Sequence, residues 1–138
     1  MRPSKDAYYL NIARAVSMRS TCLKRQYGAV IVNNDEIIST GYNGSVRGGK
    51  NCCDIGSCSR LSLPHNSGDY STCESVHAEQ NAIISASRRD MIGGTMYLFG
   101  RDFDKDVDDV EPCPICRKLI ANAGISRLIT KDKIHILE

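Results

Sequence analysis

The chain contains no tryptophan and only two phenylalanines, and aromatic residues make up 6% of its 138 positions. A groove for single-stranded nucleic acid stacks bases on aromatic side chains and follows the backbone with a basic stripe. With so few aromatics and a formal net charge of +2, a nucleic-acid partner is not expected. Long apolar runs are missing as well. No stretch approaches the roughly 20 apolar residues that a membrane-spanning helix needs. The opening Met1-Arg2-Pro3-Ser4-Lys5-Asp6 has none of the apolar core of a secretory leader. No membrane association is expected, and the expected location is cytoplasmic. Seven cysteines are many against that background. Without a secretion signal they point to thiols and metal rather than to a disulfide framework, and the odd number agrees.

At 41% hydrophobic and 25% charged residues, the chain reads as one globular domain, 1–138, large enough to bury a single core. Residues 5–19 are predicted to form a helix with Tyr9, Ile12, Ala13 and Val16 on one face. Residues 29–32 and 37–40 read as strands of an antiparallel hairpin, joined by the polar turn Asn33-Asn34-Asp35. Residues 44–73 show no sustained period. They are rich in Gly, Ser, Asn and Cys, and structureless loops of that length are uncommon, so function or cross-linking is expected there. Beyond them come a helix at 78–88, a strand at 96–99, a helix at 115–122 ended by Gly124, a strand at 127–130 and an edge strand at 134–137. The alternation β-α-β-α-β implies an α/β fold with parallel strands and helices packed on the sheet.

Two short segments carry the chemistry: His77-Ala78-Glu79 and Pro112-Cys113-Pro114-Ile115-Cys116. A catalytic zinc takes three ligands from neutral imidazole and thiolate, leaving its fourth tetrahedral position to a water whose pKa falls to about 7. His77, Cys113 and Cys116 are the candidate ligands, and Glu79 is the candidate proton acceptor. Each pair opens a predicted helix, where free N–H groups favour thiolate, and Pro112 suits a first turn. Cys113 and Cys116, three residues apart, share one face. Either half alone is weak, because Cys-Pro-x-Cys is at least as common in structural zinc knuckles and redox turns. Together, His-x-Glu and Pro-Cys-x-x-Cys form the signature of zinc nucleobase deaminases, in which the Glu moves protons and does not bind metal.

The order Gly28-Ala29-Val30-Ile31-Val32, Gly41-Tyr42-Asn43-Gly44, His77-Ala78-Glu79-Gln80-Asn81-Ala82-Ile83 and Pro112-Cys113-Pro114-Ile115-Cys116 resembles that of the deoxycytidylate deaminases. It departs from the usual pattern at Val46, where Pro is common, at Asn51, where His is frequent, and in a longer approach to Pro112. The resemblance implies a three-layer α/β/α cytidine-deaminase-like fold with a mixed sheet of about five strands. It also implies hydrolytic deamination of dCMP to dUMP, feeding thymidylate synthesis. Activated water would attack C4 of the base while Glu79 passes protons to N3 and to the departing ammonia. The backbone around Ala78 would contact the base and Asn43 the deoxyribose. Read alone, Tyr-Asn-Gly is a turn sequence.

A nucleoside monophosphate needs Arg, Lys or oriented N–H groups. Arg25 and Arg47 are the candidates, with Lys50 nearby, although each alone reads as a solvated charge. Some deoxycytidylate deaminases carry a second, structural zinc. Its candidate ligands here are Cys22, Cys52, Cys58 and Cys73, with Cys53 and His65 as substitutes, and packing as small hydrophobes is the alternative for any one cysteine. The family also implies a homo-oligomer, often a hexamer, activated by dCTP and inhibited by dTTP.

The acidic run 102–109 does not fit a calcium-binding EF-hand loop. Counted from Asp102, Val107 falls where Gly is required and Cys113 where the bidentate Glu belongs. A solvated loop near the pocket mouth is expected instead. Alternative functions are deamination of another cytosine or adenine nucleotide or of tRNA, and a non-enzymatic zinc-stabilised interaction module in which Glu79 is a plain helix residue.

Overall fold

The computed structural model describes residues 1–21, 25–46, 75–102, 105–108, 110–131 and 133–137. The first helix, α1 (Lys5–Ser17), starts where the Ser4 hydroxyl accepts from the Ala7 N–H at 3.2 Å, and it ends two residues before the expected limit. Strands β1 (Gln26–Asn33) and β2 (Glu36–Tyr42) form the expected antiparallel hairpin, pairing Asn33 with Glu36. Asn34 and Asp35 make the turn at φ 53° and 61°. Asn and Asp tolerate this left-handed conformation, whose twist matches that of the flanking strands. Asp35 also fastens the turn to α1, accepting from the Tyr9 hydroxyl at 2.6 Å and pairing with Lys5.

After β2 come the two-residue strands β3 (Gly44–Ser45) and β4 (Ser75–Val76), which pair with each other. Helix α2 (Ala78–Ile84), the short helix α3 (Arg88–Met91) and strand β5 (Thr95–Asp102) follow. The helix expected over 78–88 is therefore two. α2 ends at Ser85, and Ser87 opens α3 with its hydroxyl 2.9 Å from the Asp90 carboxylate. The last elements are β6 (Lys105–Asp106), α4 (Pro114–Asn122), β7 (Arg127–Ile129) and β8 (Ile134–Ile136). Gly124, at φ 86°, supplies the left-handed residue after α4. The acidic run is not a plain solvated loop. Part of it forms a hairpin of β5 and β6, with Asp106 3.5 Å from Arg14 and Asp108 2.6 Å from Lys131.

The sheet order is β2-β1-β5-β7-β8, with β6 added on β5. β1 runs antiparallel to both β2 and β5, β5 is parallel to β7, and β8 closes the edge antiparallel. Strands β2, β5 and β7, linked through the helices, thus share one direction as the alternation required, and β1 lies between the first two. Period-2 alternation divides the core into two layers. Ala29, Ile31, Met96, Leu98 and Leu128 face Ala78, Ala82 and Ile120 of α2 and α4. Val30, Val32, Tyr97, Phe99 and Ile129 face Tyr9 and Ala13 of α1. This is the three-layer α/β/α arrangement. No helix among the described residues is long and apolar enough to cross a membrane.

Candidate active site

Two helix starts meet on the α2–α4 side of the sheet. His77 is the residue before the first turn of α2, in extended conformation, and the Gln80 side chain accepts from its backbone N–H at 2.9 Å. Cys113 holds the same position on α4, followed by Pro114. The Cys113 sulfur accepts from the Cys116 N–H at 3.4 Å, so one thiolate stands on a free amide of the first turn. The three ligand atoms of His77, Cys113 and Cys116 all lie within 4.8 Å of one another.

The spacing fits zinc. Bonds of about 2.3 Å to sulfur and 2.0–2.1 Å to nitrogen at the tetrahedral angle separate N and S by about 3.6 Å. His77 Nδ1 lies 3.3 Å from Cys116 Sγ and 3.6 Å from Cys113 Sγ. The imidazole therefore presents Nδ1 to the metal position. The Glu79 carboxyl is buried at 5% exposure and hydrogen-bonds with the Cys116 side chain. Burial pushes this carboxyl above the usual range, opposed by hydrogen bonds from its own backbone and from Cys116. The Cys116 thiol is pushed up too, first by burial and then by the Glu79 charge. Both shifts favour the neutral, protonated groups when no cation is near, whereas a bound dication deprotonates a coordinating thiol outright.

The neighbouring strand holds α2 in register. A Cβ on Gly41 would sit 2.4 Å from Ala82 N and 2.5 Å from Ala78 O, so only glycine lets β2 touch the helix backbone. The buried Ser39 hydroxyl donates to Ala82 O at 2.7 Å, and Asn81 Nδ2 donates to Tyr42 O at 2.8 Å. No role was read from the sequence for Ser39, Gly41, Gln80 or Asn81. The signal for Gly41 was a glycine directly after the strand expected over 37–40, which the structure extends to Tyr42.

Asn43 is buried and ties the end of β2 to the start of β1. Its Oδ1 accepts from the Ser20 hydroxyl at 2.5 Å and from Tyr27 N–H at 2.8 Å, while Nδ2 donates to Arg25 O at 2.8 Å. Among the described residues one N–H of the amide is left over. Ala78 is fully buried in the first turn of α2, directly between the ligand and the acid. Arg25 is half-buried, and its carbonyl is the atom Asn43 engages. Arg47, Lys50 and the second-zinc candidates Cys22, Cys52, Cys53, Cys58, His65 and Cys73 lie outside the described residues.

Residues 3–131 match the family model of the cytidine and deoxycytidylate deaminase zinc-binding region. The chain is 38% identical over 132 residues to the deoxycytidylate deaminase of Mycobacterium phage D29, covering 93% of this chain and 94% of that protein. It is 36% identical over 129 residues to the deoxycytidylate deaminase of Schizosaccharomyces pombe, covering 93% of this chain but only 37% of that longer protein. Among solved structures, the dCMP deaminase of cyanophage S-TIM5 in complex with dCMP and dUMP superposes with a TM-score of 0.69 at 28% identity. That match covers 94% of this chain and 82% of the phage chain.

Proposed function

The chain belongs to the cytidine and deoxycytidylate deaminase family, and from that premise we propose that it hydrolyses dCMP to dUMP and ammonia as a single zinc-dependent domain. The observation that carries this is the convergence of His77, Cys113 and Cys116 within 4.8 Å, with the buried Glu79 carboxyl against Cys116. The phage relative matched over nearly its whole length supports the substrate.

When bound, zinc supplies a Lewis acid that lowers the pKa of water to about 7. His77, Cys113 and Cys116 would hold it. Glu79 takes a proton from the attacking water and donates it to ring nitrogen N3. It then passes the second proton to the leaving amino group. A C4–O bond forms and the C4–N bond breaks: the water supplies the product oxygen, the proton that stays on N3 and one proton of ammonia, whose other two hydrogens come from the amino group. The first turn of α2 keeps Glu79 two residues from the ligand, and the backbone at Ala78 between them is the surface for the base. Asn43 offers its remaining N–H to the deoxyribose, with Arg25 and Arg47 as the phosphate candidates.

The family resemblance supports a cytoplasmic homo-oligomer, with a hexamer the state to test, activated by dCTP and inhibited by dTTP. Ile115 and Leu119, 64% and 37% exposed on the outward side of α4, are apolar surface suited to a subunit contact.

The test is ammonia release by zinc-analysed protein on dCMP, deoxycytidine, dCTP and tRNA in parallel, with and without dCTP as activator. The expected result is turnover of dCMP that disappears in Glu79→Gln while fold and zinc content persist. Zinc at one per chain without turnover of any of them would leave a structural zinc module, and activity surviving Glu79→Gln would remove the assigned proton shuttle.

A further inference from the structure

The Thr21 hydroxyl is buried and has no hydrogen-bond partner among the described residues. Such an atom costs roughly 1–3 kcal/mol relative to a bonded one, so its persistence calls for a partner that arrives from outside. The backbone around it is well fixed. Thr21 N–H donates to Asn43 O at 3.3 Å, and the adjacent Ser20 hydroxyl donates to the same carbonyl at 2.8 Å. The free hydroxyl lies over Gly44, where an added Cβ would be 2.8 Å away from it. Gly44 pairs with Val76, the residue before the ligand His77. Strand spacing and one Cα step bound the distance from this hydroxyl to the His77 Cα at about 14 Å. That is within the span of a nucleotide whose base is held at His77 and Glu79.

We propose that Thr21 is a substrate-contact residue whose hydroxyl binds the 3′-hydroxyl of the deoxyribose. This inference rests on the dCMP reading above. A sugar hydroxyl is both donor and acceptor, as is Thr21, so it can use both capacities of this hydroxyl, whereas an ionised phosphate oxygen could only accept from it. The neighbouring Asn43 keeps one N–H, which makes this corner a neutral, two-point receptor for a hydroxyl group.

The test compares wild type, Thr21→Val and Thr21→Ser on dCMP and on its 2′,3′-dideoxy analogue, with thermal unfolding of each protein in the absence of nucleotide. Valine keeps the shape and removes only the hydroxyl. Because that hydroxyl has no partner among the described residues, the Tm of Thr21→Val should equal or exceed that of wild type. Its KM for dCMP should rise roughly five- to tenfold, its KM for the dideoxy analogue should not change, and Thr21→Ser should restore the wild-type value. An unchanged KM for dCMP in Thr21→Val overturns the inference. So does a lowered Tm, which would give the hydroxyl a structural partner, and so does an equal loss on both nucleotides, which would place the contact elsewhere on the substrate. Absence of any wild-type turnover of dCMP removes the functional reading and the inference with it, and is distinguishable because the other failures require an active wild-type enzyme.

Discussion

Replacing Gly41 by alanine should disable the active site without touching any residue that binds metal or moves a proton. The new Cβ would lie 2.4 Å from Ala82 N and 2.5 Å from Ala78 O, where ordinary contact begins near 3.4 Å. Both neighbours are backbone atoms of α2, so no side chain can rotate away. The helix or the strand must yield by about 1 Å, the difference between those separations. His77 and Glu79 ride on α2 while Cys113 and Cys116 ride on α4, so the displacement opens the ligand set itself. A misplacement of about 1 Å costs on the order of 100-fold in rate. Overpacking should also lower stability by about 1–3 kcal/mol, a fall in Tm of roughly 4–12 °C for a chain of this size. The control is Gly28→Ala, whose Cβ would meet Ala13 O at 2.1 Å on the opposite layer, against α1. Both variants should lose stability, but only Gly41→Ala should lose zinc affinity and turnover per folded molecule. Steady-state kinetics and competition with a zinc chelator below the unfolding range would measure this. Equal zinc affinity and turnover in Gly41→Ala and Gly28→Ala would refute the claim that close approach of β2 sets the site.

Stripping zinc with a chelator should abolish turnover, lower Tm and expose Cys113 and Cys116 to a thiol reagent. Peptide mapping would identify the modified positions, and added zinc should reverse all three effects. Asn43→Ala should unfold more readily, by about 2–4 kcal/mol in denaturant titration, because Tyr27 N–H and Arg25 C=O lose the side chain that engages them, while the Ser20 hydroxyl keeps the Asn43 backbone carbonyl. A variant as stable as wild type would show that Asn43 is not a structural clamp. Alkaline stability should depend on Tyr9, whose pKa is pushed up to about 12, first by its hydrogen bond to Asp35 and then by burial and the Asp35 charge. The raised value favours the neutral phenol in the fold. Its contribution is therefore complete below about pH 10 and disappears as pH rises toward 12, so the decline in Tm over that window should be shallower in Tyr9→Phe.

The cluster of His77, Cys113 and Cys116 and the neighbouring Glu79 were legible as a candidate site because ligand chemistry restricts residue type and the two segments open helices, a pattern that needs no tertiary knowledge. The hairpin was legible for a similar reason: Asn34 and Asp35 accept left-handed dihedrals that few residues tolerate. The direction of β2, β5 and β7 followed from the helices between them. The position of β1 between β2 and β5 did not, because strand order depends on packing and not on alternation. β3 and β4 are too short to carry a period. The acidic run concealed β6, since Lys105 and Asp106 look solvated until Arg14 and the edge of β5 are placed beside them. Ala86, four residues after Ala82, kept the helical spacing alive past Ile84 and hid the helix break at Ser85, where Ser87 restarts the chain as α3.

The ladder of β3 and β4 pairs Ser45 with Ser75, so the two ends of the stretch between them lie side by side. For a protein engineer this makes the long stretch between them an exchangeable cassette. Closing a shorter loop costs less chain entropy than closing a longer one, and a two-residue Asn-Gly turn is the natural graft for adjacent antiparallel ends. Such a trimmed variant would carry His77, Glu79, Cys113 and Cys116 without Cys52, Cys53, Cys58, His65 or Cys73. It would separate the chemistry of one metal position from whatever the excised cysteines contribute.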